Sequence, residues 1–283
     1  MSQSIVTSFN KLNENIPLVP GLHVIGGRPE IGITDFLLQI ADSIATQGTP
    51  VMFISLMNNV KEIGAKIVSR RIKQSDSKLD VTPNDVLEGK ASKSRILKQT
   101  LQDLSDGQHI IILHPNKAIT ASQLIKLLTE YRTKCTQTPV IMIDALDDLA
   151  DATDVTYQEQ AIMAIANWQL VHHDTPVILH CYTKDMFQRY MTLNAFNFPN
   201  ILETCASTVS GIQLRELSAK EFYGTRDEDG DLHATSLRKQ QKIANDAMNA
   251  KIRHLSLHLI KNDHAHDRID YDYDRNHAIL IET

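Results

Sequence analysis

Cysteines and long apolar runs are both scarce in this chain of 283 residues, and each scarcity excludes a class of protein. The 3 cysteines are an odd number and none lies in a CxxC pair, so we expect neither a disulfide framework nor a structural zinc site. No apolar run approaches the roughly 20 residues that span a bilayer. The first residues also lack the charged and apolar segments of a signal peptide. We therefore expect a cytoplasmic protein with no membrane partner.

An excess of positive charge is also missing. The chain has 29 Lys and Arg against 34 Asp and Glu, which gives a formal net charge of −5. The chain as a whole therefore shows no charge typical of a nucleic-acid-binding protein. Lys61, Lys66 and the segment 70–73 give one expected helix a modest basic face. Contact with single-stranded DNA is one interpretation of that face, and an ordinary solvated surface is the other.

Continuous apolar runs alternate with amphipathic segments through the first two thirds of the chain. Continuous rather than alternating runs predict buried parallel strands. The expected strands are 22–25, 51–56, 110–113, 140–144 and 177–181, and the expected helices are 34–46, 60–73, 94–104, 121–134 and 157–172. This alternation predicts an α/β fold with a central, mostly parallel sheet flanked by helices. Ligands of such sheets bind at the carboxyl ends of the strands.

The last third of the chain has a different composition. Residues 220–250 are polar, and we expect a mobile segment there that includes 227–231. A charged helix is expected over 238–252. Two strands, around 255–260 and 277–281, are expected to follow as a C-terminal antiparallel extension, joined by a turn through 263–275. Without repeats or a low-complexity linker, we expect one domain over 1–283, with 1–20 leading into the first strand.

The segment from Gly26 to Thr34 lies between the first expected strand and helix. A phosphate loop needs glycines there, so that backbone N–H groups at a helix N-terminus approach phosphate oxygens. A lysine then neutralises the phosphates and a following Ser or Thr binds magnesium. Gly32 and Thr34 stand in the places of the second glycine and the hydroxyl, but Ile33 stands in the place of the lysine. Arg28 is an alternative source of positive charge.

Short motifs follow one another in a fixed order from residue 7 to residue 262. They include Thr7-x-Phe9-x-x-Leu12, Pro20-Gly21-Leu22, Arg28-Pro29-x-x-Gly32, Phe53-Ile54-Ser55-Leu56 and Val140-Ile141-Met142-Ile143-Asp144. Their order and spacing resemble the C-terminal ATPase domain of bacterial replicative helicases of the DnaB type. The resemblance implies a RecA-like P-loop NTPase fold. It also implies that Mg-ATP or Mg-ADP, if bound, would be held by Gly27, Arg28, Gly32, Ile33, Thr34 and Asp144, with Thr34 and Asp144 as the magnesium ligands.

The chain departs from that family at the positions which carry the chemistry. Met57 stands where the family has the glutamate that activates water, and Tyr182 stands near the place of its sensor glutamine. Where the family has its arginine-finger region, this sequence has Asp263-His264-Ala265-His266. Loss of a general base costs about 10²–10⁴ in rate, and loss of an arginine finger about 10³–10⁵. We therefore expect little hydrolysis of ATP.

Two other groups of residues have the composition of a metal site or of a catalytic pair. The His and Asp residues of 263–267 are competent metal ligands, but nothing pairs with them at motif spacing, so a solvated hairpin tip is the favoured interpretation. His180 and Cys181 are neighbours on one expected strand. Side chains alternate across a strand, so these two should point to opposite faces and form no catalytic pair.

The sequence is compatible with three functions. The favoured one is a degenerate, non-hydrolysing helicase relative that acts as a binding or regulatory protein, linked to DNA replication or a mobile element. It implies a protein partner and leaves single-stranded DNA and a homo-oligomer as further partners. The second is a module that binds Mg-nucleotide without hydrolysing it. The third is an active ATPase of the helicase type that acts on DNA with substitute residues.

Overall fold

The computed structural model describes residues 5–90, 98, 99, 102, 109–184, 190–226, 232, 233, 235–261 and 268–283. Its strands are β1 Gly21–Gly27, β2 Val51–Ser55, β3 Ile110–Leu113, β4 Val140–Asp144, β5 Pro176–Tyr182, β6 Thr208–Leu214, β7 Thr225–Arg226, β8 Leu232–His233, β9 Ile252–Lys261, β10 Arg268–Asp274 and β11 Ile279–Glu282. Its helices are α1 Asn10–Asn15, α2 Ile33–Thr46, α3 Val60–Ser75, α4 Pro83–Leu87, α5 Ala121–Lys134, α6 Val155–Val171, α7 Pro199–Cys205, α8 Lys220–Tyr223 and α9 Leu237–Asn249.

The main sheet within these residues has nine strands in the order β11-β10-β9-β6-β1-β5-β4-β2-β3. The six strands from β6 to β3 in this order run parallel to one another, and β9, β10 and β11 extend the sheet antiparallel beyond β6. Helices cover both faces: α2 and α3 pack on one face, and α5, α6 and α7 on the other. The expected α/β fold with a C-terminal antiparallel extension is confirmed.

The continuous apolar runs predicted five parallel strands, and all five are found. The burial expected for the run over 110–113 was wrong, because β3 lies at the edge of the sheet and is only partly buried, and the buried strand β6 was not predicted. Every residue of β1, β2 and β4 is buried, as expected for strands with helices on both faces. The helices over 34–46, 60–73, 121–134 and 157–172 are also found, with ends that differ by two residues or fewer. The helix expected over 94–104 and the segment 263–267 lie wholly or mostly outside the described residues. So do residues 227–231 of the expected mobile segment 220–250, whose later part forms α9.

The turn expected over 263–275 was wrong in its second half, because β10 occupies Arg268–Asp274. Alternate residues of this strand are buried, and they are Ile269, Tyr271 and Tyr273. The residues between them are mostly aspartates that lie on the more exposed face. This alternation is typical of an antiparallel strand with one covered face, and its acidic half led to the wrong interpretation as a solvated turn.

Helix α3 begins at a capping box that fixes its position beside α2. The side chain of Asn59 accepts a hydrogen bond from the backbone N–H of Glu62 at 3.0 Å, and the Glu62 side chain accepts one from the Asn59 N–H. Such a cap satisfies N–H groups that would otherwise lack partners at the helix start. With the start fixed, Lys66 lies one to two turns into the helix, facing α2.

Phe9 joins the N-terminal segment to the layer that carries α2. Its ring stacks on Phe36 of α2 at 5.2 Å between centroids and meets Tyr271 of β10 edge to face, also at 5.2 Å. Phe9 is only 2% exposed. The aromatic residue of the first motif therefore ties α2 to the C-terminal strands. None of the helices in the described part of the chain is long and apolar enough to cross a membrane.

We expect Phe9→Ala to lower the free energy of unfolding by about 3–5 kcal/mol, because a large buried ring is lost from between two elements. Urea denaturation followed by circular dichroism measures this change. Val6→Ala is the matched control: Val6 is 51% exposed, so its change should stay within about 0.5 kcal/mol. Equal effects of the two substitutions would show that Phe9 does not tie these elements together.

Candidate functional site

A pocket of about 450 Å³ lies at the carboxyl ends of the central parallel strands. This is the edge at which α/β sheets bind ligands. The pocket is lined by the loop before α2, the first turn of α2, side chains at or just after the ends of β2, β4 and β5, and one side chain each from α3 and β10. Its lining residues are Arg28, Pro29, Glu30, Ile31, Gly32, Ile33, Thr34, Asp35, Met57, Asn58, Lys66, Asp144, Asp148, His180, Tyr182 and Tyr273.

The loop between β1 and α2 has the backbone of a phosphate-binding turn. Gly32 caps α2 with a φ of 120°, a conformation that favours glycine. The first N–H groups of a helix have no partner within the helix, and they carry the positive end of its dipole. Gly32 and Thr34, at the start of α2, both line the pocket, so that end of the helix faces it.

Ile33 lines the pocket but packs mainly in the protein core. Its side chain is 2% exposed and belongs to the hydrophobic cluster between the sheet and α2. A Cβ atom placed on Gly27 would lie 2.5 Å from the Ile33 Cδ1 atom, so the isoleucine packs directly against the end of β1. The loop position at which a lysine would carry its ammonium into the pocket is therefore apolar.

Thr34, Asp144 and His180 form a hydrogen-bonded chain across three elements. The Thr34 hydroxyl donates to Asp144 Oδ2 at 2.9 Å, and His180 Nδ1 lies 2.6 Å from Asp144 Oδ1. Because a carboxylate only accepts, the imidazole donates through Nδ1. The His180 side chain is 5% exposed, and its Nε2 atom has no hydrogen-bond partner among the described residues. A buried nitrogen without a partner is costly, and a ligand atom or water would relieve it.

The contacts of Asp144 with Thr34 and His180 indicate how the magnesium ion expected from the resemblance would be held. The Thr34–Asp144 contact is compatible with a divalent cation, since both oxygens keep further lone pairs. The imidazole of His180, however, takes up the Oδ1 side of Asp144 at 2.6 Å. Asp144 Oδ2, on the side of Thr34, is not contacted by the imidazole. Thr34 and Asp144 are therefore the residues that would hold a magnesium ion, with His180 orienting the carboxylate from its other oxygen.

Asp35 occupies the first turn of α2 and carries two partners from other elements. Lys66 of α3 donates to Asp35 Oδ1 at 2.7 Å, and the Tyr273 hydroxyl of β10 donates to Oδ2. The Tyr273 ring also covers Gly32, where a Cβ atom would lie 2.6 Å from its Cε1. Burial and the neighbouring Asp35 carboxylate raise the pKa of Tyr273, so it stays a donor. Side chains from α3 and β10 thus hold the start of α2.

Arg253 of β9 fixes the loop from the same side as Tyr273. Its guanidinium donates through Nη1 to the backbone carbonyl of Glu30 and through Nε to that of Met248 at 2.8 Å. It also lies 5.9 Å from the centre of the Tyr273 ring, within the range of a cation–π contact. Burial lowers the pKa of Arg253. The antiparallel extension therefore takes part in the pocket wall.

Two further acids follow Asp144 in the 3₁₀ turn after β4. Asp147 accepts hydrogen bonds from the Tyr182 backbone N–H at 2.7 Å and from the Gln158 amide at 3.2 Å. Asp148 lines the pocket, and its Oδ2 atom is buried without a partner among the described residues. Burial raises the pKa of both carboxyls, and the Asp144 carboxylate raises that of Asp148 further.

Met57 and Tyr182, the two departures expected at catalytic positions, both line this pocket. Met57 is 64% exposed and offers no proton-accepting group. Burial and the acids after β4 raise the pKa of Tyr182, so its hydroxyl stays protonated. Neither side chain provides a general base.

Most basic side chains of the face expected on α3 are paired within the protein. Arg70 is fully buried and pairs with Asp42 of α2, which Arg71 also contacts at 2.5 Å. Lys73 donates to the backbone carbonyl of Ser77 at 2.7 Å. These cations join α2, α3 and the following loop, so the face offers few charges to DNA.

Comparisons with known proteins agree with this geometry. The sequence matches the family model of the DnaB-like helicase C terminal domain over residues 4–178. The chain belongs to this helicase family. No curated protein sequence is significantly similar to the chain.

Solved structures share the RecA-like fold of this DnaB-like domain. A structure described as an ATPase domain superimposes with a TM-score of 0.73 and 13% identity, over 100% of this chain and 92% of that one. A DnaB-like replicative helicase, described with its interactions with primase, superimposes with a TM-score of 0.72 and 14% sequence identity, over 99% of this chain and 62% of that one. A KaiC-like protein from Pyrococcus horikoshii OT3 superimposes with a TM-score of 0.58 and 12% sequence identity, over 99% of this chain and 97% of that one. The chain thus spans less than two thirds of the helicase that was described with primase.

The residues singled out from the DnaB-like motifs are close together. Arg28, Gly32, Thr34 and Asp144 line one pocket, and Gly27 ends the strand below it. Their roles toward a nucleotide stay predictions. Cys181 packs in the core on the opposite face from His180, as strand alternation predicted.

Five residues that join Asp144 and the start of α2 to other elements were not assigned to this pocket from the sequence: His180, Asp35, Lys66, Tyr273 and Arg253. His180 was within reach of sequence reasoning, because it precedes the end of a predicted strand on the face opposite Cys181. The others come from α2, α3, β9 and β10, and no short motif links them.

We expect Asp148→Asn to stabilise the folded chain by about 0.5–2 kcal/mol at neutral pH. The folded state raises the pKa of this carboxyl, so ionisation above its ordinary value of 3.8 costs stability. Asparagine removes that cost, and the difference should close below about pH 3.8, where both states of the wild type are protonated. Urea unfolding across this pH range measures it. A variant that is less stable at neutral pH would contradict the assigned burial cost.

Proposed function

We propose that this chain is a non-hydrolysing member of the DnaB-like helicase family that acts as a binding or regulatory protein. The burial of Ile33 carries this proposal. Transfer of a phosphoryl group depends on neutralising the charge that spreads over its oxygens. An isoleucine that is 2% exposed and packed against Gly27 supplies no such charge.

The other catalytic positions support the same conclusion. Met57 provides no base, and the loss of a base costs about 10²–10⁴ in rate. The sequence Asp263-His264-Ala265-His266 has no arginine where the family has its finger, and that loss costs about 10³–10⁵. These losses add to that of the lysine, so turnover falls far below that of an active relative.

A role in binding agrees with the outer surface of α6. Val155, Met163, Leu170 and Val171 are 42–74% exposed on this helix. Met163 and Leu170 are seven residues apart and so lie on one face of it. An apolar strip of this kind is typical of protein contact. We propose that this role is linked to DNA replication or to a mobile element.

Steady-state phosphate release from ATP tests the proposal. We expect no release above background from the wild type, with or without single-stranded DNA. The double substitution Ile33→Lys with Met57→Glu should also give little turnover, because the arginine-finger region remains altered. Circular dichroism establishes that the variant is folded. Release that single-stranded DNA stimulates in the wild type would overturn the proposal and support an ATPase that uses substitute residues.

The second candidate is a module that binds Mg-nucleotide without hydrolysing it. The retained contact of Thr34 with Asp144 at 2.9 Å favours it, because these are the two residues to which the family resemblance assigns the cation. Calorimetry with ATP and Mg²⁺ should give saturable heat if this candidate is right. An absence of heat at millimolar nucleotide would remove it.

A further inference from the structure

A second polar cavity, of about 370 Å³, lies between the C-terminal halves of α2 and α3. We call it the arginine cleft, and its lining residues are Ser8, Gln39, Asp42, Ser43, Thr46, Arg70, Arg71 and Gln74. Thr46 ends α2 and lies roughly 18 Å along the helix from Thr34. The cleft is therefore separate from the pocket at the start of α2, and the two share no lining residue.

Two guanidinium groups in the arginine cleft share one carboxylate. Arg70 Nη2 donates to Asp42 Oδ2 at 3.0 Å, and Arg71 donates to the same carboxylate through Nε and Nη2. The side chains of Arg70, Arg71 and Asp42 are 1%, 20% and 8% exposed. The other carboxylate of α2, Asp35, is paired with Lys66. One positive charge of the cleft thus lacks a counterion in the part of the chain that the structure describes.

Donors of both arginines also remain unused. Arg70 Nη1 is buried and has no hydrogen-bond partner among the described residues. The contacts of Arg71 with Asp42 use only its Nε and Nη2 atoms, which leaves Nη1 for another acceptor. Burial lowers the pKa of Arg70, because it disfavours the charged form of a side chain that stays protonated in proteins.

A water molecule would satisfy these donors only in part. It accepts hydrogen bonds, but it carries no charge, whereas a buried cation is costly unless an opposite charge is paired with it. A group that completes the cleft must therefore supply acceptor oxygens and a negative charge together.

We propose that the arginine cleft binds an oxyanion, the carboxylate or phosphate group of a ligand, as the second counterion of Arg70 and Arg71. Guanidinium groups bind such oxygens through paired N–H donors. Gln74 and Ser8 add an amide and a hydroxyl at the exposed rim, and no described residue contacts either of these side-chain groups. This site goes beyond the proposed function, because it is independent of hydrolysis and of the pocket at the start of α2.

Backbone-amide NMR with sulfate as the probe tests the proposal, at an ionic strength held constant with chloride. We expect saturable shifts of the Thr46 and Gln74 amides with a dissociation constant of about 1 mM, as for a site with two or three charge-assisted hydrogen bonds. The Gly32 and Thr34 amides report separately on the pocket at the start of α2. Acetate that binds as tightly as sulfate indicates a carboxylate ligand, and a preference for sulfate indicates a phosphate group.

The substitution Arg71→Met should weaken sulfate binding to the arginine cleft by about 10-fold or more, because it leaves Arg70 and Asp42 as a balanced pair. Arg132→Met is the matched control: Arg132 is 21% exposed and pairs with Asp174 at 2.7 Å, outside the cleft. This variant should bind sulfate as the wild type does. Thermal unfolding establishes that both variants are folded.

A second variant keeps both arginines. Gln74→Glu places a carboxylate at the exposed rim of the cleft, so it should weaken sulfate binding by about 5-fold or more without a large effect on folding. Gln160→Glu, at an exposed position of α6, is its control and should leave binding unchanged.

Three results would overturn the proposal. The first is an absence of saturable shifts at Thr46 and Gln74 with both sulfate and acetate. The second is equal affinity of the wild type and the Arg71→Met and Gln74→Glu variants. The third is equal weakening by the cleft variants and their controls, which would show a general effect of net charge rather than a site.

Discussion

The carboxylate of Asp144 is the point on which the arrangement of the pocket depends. It ends β4, accepts from Thr34 at the start of α2 and contacts His180 of β5. Because the parallel strands end at one edge of the sheet, these residues meet there although they are far apart in the chain. These hydrogen bonds fix the start of α2 and so hold the loop before it in its conformation. Because they do not involve position 33, the phosphate-type turn is kept although the lysine is missing.

The antiparallel extension also fixes the position of the loop before α2. Tyr273 covers Gly32 and donates to Asp35, and Arg253 donates to the Glu30 carbonyl. The extension thus supplies one wall of the pocket and holds the start of α2. These contacts hold the loop and the start of α2 in one arrangement, which preorganises the pocket.

Much of this fold follows from local patterns in the sequence. The run over 140–144 predicted β4 without error, because a strand buried on both faces has few alternatives to a continuous apolar run. The phosphate-type loop followed from Gly32 and Thr34. The strand β10 did not, since its buried Ile269, Tyr271 and Tyr273 alternate with acids that predicted a solvated turn. Lys66 was attributed to a basic surface, because its partner Asp35 lies 31 residues earlier on another helix.

Chemistry at this site therefore depends on contacts between distant elements more than on the motif itself. The motif predicts where phosphates would lie. In our proposal, the burial of Ile33 against Gly27 and the contact of His180 with Asp144 limit what the site can do with a phosphate. Both contacts arise from the way the folded elements pack together. Neither can be inferred from the spacing of glycines.

A single-turnover experiment tests the loss of hydrolysis most directly. With the protein in excess over labelled ATP and with Mg²⁺ present, even slow chemistry on bound nucleotide would be detected, since product release no longer limits the signal. Our account predicts that the γ-phosphate stays on the nucleotide throughout the incubation. Release of phosphate in proportion to bound ATP would contradict it, and would show that another group replaces the lysine in catalysis.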